Sequence, residues 1–167
     1  MTTTVYDKAE KVLRLARGAG LTIVTAESCT GGLVAGALTE VPGSSEAVDR
    51  GFVTYSNAAK TELLGVPAEM IGRHGAVSEE VARAMAEGAL AVAKAGAAVA
   101  VTGVAGPGGG SPEKPVGLVW FAAARRGGPT ILREKRFGDL GRAEIRRRSV
   151  LVALDMLTEV MGEAATA

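Results

Sequence analysis

Between residues 7 and 101 the chain alternates helical periodicity with short β-branched or Ala/Val runs, and this alternation restricts it to an α/β layer architecture. Three such runs, Leu21–Thr25, Gly51–Ser56 and Ala97–Val101, are separated by helical segments long enough to serve as crossovers, so they are predicted to pair in parallel. The uninterrupted apolar run Val116–Ala124 predicts a strand inside the sheet. Ile131–Phe137 mixes apolar and charged residues as an edge strand does, and with its neighbour it forms an antiparallel extension. The expectation is an α/β fold. It takes the form of a three-layer α/β/α sandwich around a five-stranded mixed, mostly parallel sheet, in one domain over residues 1–167.

Local signals place the helices. Asp7 with Glu10 reads as a capping box, and Val12, Leu13 and Ala16 give an apolar face that ends at Gly18 or Gly20. Leu33–Leu38 reads as helix until Pro42-Gly43-Ser44-Ser45 breaks the pattern. Asn57 is the expected N-cap of a short helix carrying Lys60, Leu63 and Leu64, and Ser78 caps a longer one with Glu79 and Glu80 in its first turn. Ile145, Ser149, Val152, Met156 and Val160 mark one face of a C-terminal helix, and Gly162–Ala167 reads as a frayed tail.

Composition narrows the function classes. Nineteen basic residues against eighteen acidic give a net charge of +1, so no overall field favours nucleic acid or an anionic membrane, and neither is an expected partner. One cysteine and one histidine exclude a disulfide framework and the usual Cys/His zinc sites. The N-terminus lacks the basic and apolar regions of a signal peptide, and no stretch nears the ~18 consecutive apolar residues of a membrane span. A cytoplasmic protein is expected, and its apolar, Ala-rich helices suggest a homo-oligomer.

In open α/β sheets ligands bind beyond the carboxyl ends of the parallel strands. Three polar, permissive segments leave those ends: Glu27–Gly32, Tyr55–Lys60 and Thr102–Gly110. Ser28 stands between a strand and a helix, either as a helix cap or as a nucleophile beside free amides. A serine nucleophile needs a base. His74, in the loop Gly72-Arg73-His74-Gly75, reads as a surface histidine; Lys60 serves if burial lowers its pKa, and is otherwise a solvated helix residue. Cys29 is a rival nucleophile, though a lone cysteine is more often a small buried apolar residue. Arg142 and Arg146, four apart, share a helix face and could grip a phosphate, while Arg146-Arg147-Arg148 also fits a solvated surface. The glycine-rich loop contains neither G-x-x-x-x-G-K-[ST] nor a G-x-G-x-x-G after the first strand, so neither a P-loop nor a dinucleotide fold of that type is expected.

Five segments together resemble the C-terminal domain of the competence-damage CinA proteins, the nicotinamide-nucleotide amidohydrolase family. They are Thr25–Gly32, Arg50–Lys60, His74–Ser78, Thr102–Pro107 and Lys114–Trp120, in family order and spanning nearly the whole chain. The resemblance implies a stand-alone form that deamidates nicotinamide mononucleotide to nicotinate mononucleotide and ammonia in pyridine nucleotide recycling. It also implies Ser28 as nucleophile and Lys60 as base, with Tyr55 nearby, a mechanism for which no metal and no cofactor is expected. Glu27, Thr30, Gly31, Gly32, Asn57, Thr102, Gly103, Gly106, Arg142 and Arg146 are the expected substrate contacts, with oxyanion donors among the amides of 30–32 or 103–106. A non-catalytic nucleotide-binding or regulatory module is the alternative.

Overall fold

The computed structural model describes residues 3–162, so most of the tail expected to fray lies outside the described residues. Within them the order is α1 (Val5–Ala19), β1 (Ile23–Glu27), α2 (Leu33–Thr39), β2 (Val48–Val53), α3 (Asn57–Leu64), α4 (Ala68–His74), α5 (Glu79–Ala93), β3 (Ala97–Gly103), β4 (Leu118–Arg125), β5 (Thr130–Arg136) and α6 (Arg142–Val160). The strands form one sheet in the order β2-β1-β3-β4-β5. β1 pairs in parallel with β2 and β3, whereas β3–β4 and β4–β5 are antiparallel. The crossovers therefore end at β3, and the last two strands extend the sheet as hairpins, with β5 as its charged edge.

Alternation along the strands sorts the two faces. Ile23, Val99, Val101, Val119 and Phe121 pack with α1, α2 and α6. Val24, Ala26, Ala98, Ala100, Ala122 and Ala124 pack with α3, α4 and α5. The second face is almost all alanine, which lets α5 approach through its own Ala82, Ala86, Ala89 and Ala93. Helices thus cover both sides, giving the expected three layers.

Several boundaries differ from expectation for local reasons. The capping box lies three residues earlier: Thr4 Oγ1 accepts from the Asp7 amide and Asp7 Oδ2 from the Thr4 amide, both at 3.0 Å. Ser56 rather than Asn57 caps α3, accepting from the Ala59 amide at 3.0 Å, so Asn57 is the first helical residue. His74 is not in a loop. It ends α4, a helix of seven residues too short to show periodicity in sequence. No helix among the described residues is long and apolar enough to cross a membrane.

β1 feeds α2 on one face and β2 feeds α3 on the other. The carboxyl ends of these neighbouring strands therefore open a crevice at the point where the chain changes face. Ser28 follows the first strand, and Lys60 lies in the first turn after the second.

Candidate active site

The crevice holds a cavity of about 520 Å³ lined by all three segments that leave the strand ends. Ser28, Tyr55, Asn57, Lys60, Thr102, Gly103, Gly106 and Arg142 border it together. Ser28 is tied to the sheet by its amide, which donates to Val101 O of β3 at 2.9 Å. Lys60 is carried by α3, which is anchored through buried Leu64 and closed by Gly65 in the left-handed conformation.

Lys60 is 1% exposed, one of the largest fully buried side chains in the protein. Its Nζ lies 3.0 Å from Ser28 Oγ, 2.9 Å from Thr54 O and 3.3 Å from Tyr55 O. Burial lowers its pKa below lysine's ordinary 10.5, a shift opposed by the nearby Cys29. Two of the three partners are carbonyls, which only accept; the third is a hydroxyl, which can also donate. A neutral amine therefore places two N–H bonds on the carbonyls and turns its lone pair to the Ser28 hydroxyl. Such a geometry would allow a proton to pass from Ser28 Oγ to Lys60 Nζ.

The turn after Ser28 departs from expectation. Glu27 is fully buried, and its carboxylate accepts from Thr30 Oγ1 at 2.6 Å and from the amides of Gly32, Val34 and Ala35 at 3.2, 2.9 and 3.0 Å. It satisfies the start of α2 and has no side toward the cavity. Thr30, Gly31 and Gly32 likewise lie behind the lining residues. Gly31 donates to Ser28 O at 3.0 Å and Gly32 to Glu27, so neither amide is free for an oxyanion.

Arg142 and Arg146 do not act as a pair. Arg142 reaches across the cavity rim, donating from Nη1 to Gly106 O at 2.8 Å and from Nη2 to Tyr55 Oη at 2.9 Å. Arg146 turns beneath the Ser28 turn, donating to Cys29 O at 3.1 Å and Thr30 O at 3.4 Å. Arg147 and Arg148 pair with Glu144 on the surface and hold its carboxyl down at about 2.

The CinA C-terminal domain model matches residues 5–161. This chain belongs to that family. It is similar to the nicotinamide-nucleotide amidohydrolase PncC of Escherichia coli K12, 51% identical over 150 residues, covering 89% of this chain and 90% of that protein. With the Pseudomonas putida protein of the same name it shares 54% identity over 138 residues, 83% of this chain and 85% of the other. It is also 57% identical over 143 residues to a CinA-like protein of Mycolicibacterium vanbaalenii, 86% of this chain but 34% of that protein. The chain thus spans about a third of that longer relative. The crystal structure of the competence/damage inducible protein CihA from Agrobacterium tumefaciens superposes with a TM-score of 0.92 at 52% identity, covering 96% of this chain and 99% of that one.

In this CinA domain Cys29 borders the Ser28 cavity and His74 does not. Cys29 is buried and its thiol is pushed up to about 12, chiefly by burial. His74 lies apart from the Ser28 cavity, its Nδ1 3.7 Å from Glu80 Oε1. What sequence reasoning missed is the strap Gly75–Ser78, whose Ala76 and Val77 line the cavity. Three side chains hold it: Lys114 on His74 O, Ser78 Oγ on Gly75 O at 2.8 Å, and Thr102 Oγ1 on Ala76 O at 2.9 Å. The family-like run His74–Ser78 was the only signal of its importance.

Proposed function

We propose that this chain hydrolyses the carboxamide of nicotinamide mononucleotide, giving nicotinate mononucleotide and ammonia, a step suited to pyridine nucleotide recycling. One observation carries the chemistry: a buried lysine, with its two carbonyl partners, set 3.0 Å from Ser28 Oγ. The substrate class comes from the PncC relatives, which match over most of both chains. A cavity of about 520 Å³ falls in the ~300–1,000 Å³ range of small-molecule sites.

Neutral Lys60 takes the Ser28 Oγ proton as Oγ bonds to the carboxamide carbon and the C=O electron pair moves onto oxygen. The Cys29 amide, which borders the cavity and has no acceptor among the described residues, meets that oxyanion. The C–N bond then breaks, and the Lys60 ammonium gives its proton to the leaving nitrogen, releasing ammonia. Water attacks the resulting ester, Lys60 again takes the proton, and Ser28 is restored as nicotinate mononucleotide departs. Arg142 at the rim faces the phosphate, while Tyr55, Asn57, Thr102, Gly103 and Gly106 bound the ring and ribose.

Ammonia release from nicotinamide mononucleotide tests this. Ser28→Ala is expected to fall to background, and Lys60→Met to lose about 10²–10⁴-fold as a removed general base does. Binding of the nucleotide by the unaltered chain without any turnover would instead identify a nucleotide-binding module.

A further inference from the structure

Arg146 lies one helical turn beyond Arg142 on α6, yet its guanidinium is directed at the backbone of the Ser28 turn rather than at the cavity. Its Nε donates to Cys29 O at 3.1 Å and its Nη2 to Thr30 O at 3.4 Å. A Cβ on Gly31 would stand 3.3 Å from that Nη2, at a residue whose φ of +55° already favours glycine. The turn and the guanidinium are built against each other.

In a planar trans peptide the C=O and the following N–H point in opposite directions, so holding a carbonyl aims the next amide. Ser28 O is held by the Gly31 amide at 3.0 Å, which sets the Cys29 N–H. Cys29 O is held by Arg146, which sets the Thr30 N–H. The other amides of the segment are engaged: Ser28 on Val101 O, Gly31 on Ser28 O, Leu33 on Thr30 O, and Gly32, Val34 and Ala35 on Glu27. From residue 28 to 35, Cys29 and Thr30 are the amides without an acceptor among the described residues, and of the two only Cys29 borders the cavity.

We propose that Arg146 is a positioning residue: by holding the Cys29 and Thr30 carbonyls it fixes the turn that carries Ser28 and presents the Cys29 amide to the developing oxyanion, and it does not bind the substrate phosphate. This rests on Ser28 being the nucleophile of the hydrolytic reading above. A lysine at 146 cannot reproduce the function fully, because a point charge on a flexible stem does not span two carbonyls as a planar fork does.

The test measures kcat and KM for deamidation of nicotinamide mononucleotide by the full chain, together with the rate at which a fluorophosphonate labels Ser28. Arg146→Ala is expected to lose about 10²–10³-fold in kcat, the effect of a lost oxyanion donor, with KM little changed. Labelling of Ser28 should slow in parallel, since phosphorus attack also develops charge on oxygen. Arg146→Lys should fall between, and ethylguanidinium should restore part of the kcat of Arg146→Ala. Arg142→Ala should behave oppositely, raising KM.

A raised KM with kcat retained in Arg146→Ala would make Arg146 a substrate ligand and overturn the proposal. Unchanged kinetics and labelling would overturn it as well. Should Arg146→Ala not fold, Arg146→Lys with a kcat equal to the unaltered chain is the overturning result. Labelling of the unaltered chain without turnover of the nucleotide would sink the proposed substrate and leave the labelling comparison to decide the role of Arg146. Neither turnover nor labelling would overturn both.

Discussion

Lys60 can act as a base because its surroundings offer carbonyls and a hydroxyl in place of water, and no carboxylate pairs with it among the described ion pairs. Removal from water disfavours the ammonium, so the folded pKa lies below 10.5. Since the proposed mechanism needs the neutral amine, kcat/KM should rise with pH through that lowered pKa; a rate independent of pH across the basic limb would contradict it. Lys60→Arg, which stays charged, should be inactive at every pH. Linkage has the same sign. Between the folded pKa and 10.5 only the unfolded chain holds the proton, so stability should rise with pH across that window and be lower beneath it. Denaturant midpoints in that range, compared with Lys60→Met, check this. Beside Ser28, the Cys29 thiol, pushed up to about 12, is protonated and only 6% exposed. Cys29→Ala should therefore keep most of the activity, and iodoacetamide at pH 8 should not inactivate the folded protein; a loss matching Ser28→Ala would make the thiol the nucleophile.

At the scale of elements, α2 is only seven residues long, and Glu27 holds its start. Glu27→Ala would orphan three amides, each unsatisfied group costing about 1–3 kcal/mol where buried. Urea unfolding should show a loss of several kcal/mol, with Glu27→Gln losing less because its amide oxygen still accepts. α3 is placed by its contact with α5, where Gly88 lies against the Leu64 carbonyl so closely that a Cβ would overlap it. Gly88→Ala should destabilise by about 1–3 kcal/mol, as overpacking does. It should also lower kcat beyond what that stability loss explains, because α3 carries Lys60; unfolding curves and kinetics on the same sample separate the two effects. The strap at 75–78 is the third such device. Lys114→Met removes the donor on His74 O and should raise KM more than it lowers kcat.

Over the whole molecule, the site belongs to neither face of the sheet alone. Ser28 and the α6 arginines come from the face packed by α1, α2 and α6, while Lys60 comes from the face packed by α3, α4 and α5. The dyad therefore needs both cores and the sheet between them. Activity and far-UV ellipticity should be lost at the same urea concentration; earlier loss of activity would mean that one layer loosens first. With a net charge of +1 there is no overall field to draw in an anionic nucleotide, which leaves local cations such as Arg142 to do so.

Strand and helix alternation, the hairpin extension after β3 and the polar segments leaving the first three strands were all legible in the sequence. Apolar period and turn chemistry are local properties, and topology then carries those segments to one edge of the sheet. Local short-range rules also explain the misses at Thr4, Ser56 and α4, where neighbouring residues compete to cap or the helix is too short to repeat. Tertiary structure alone decided where the side chains of the site are placed. Whether Lys60 is solvated or buried depends on Thr54, Tyr55 and Ser28 meeting around it; whether Glu27 faces a substrate or a helix start depends on where α2 turns. Two arginines four apart on one helix share a face in sequence, yet one spans the rim and the other holds a backbone turn. Long side chains take their direction from distant partners, and no local pattern records those partners.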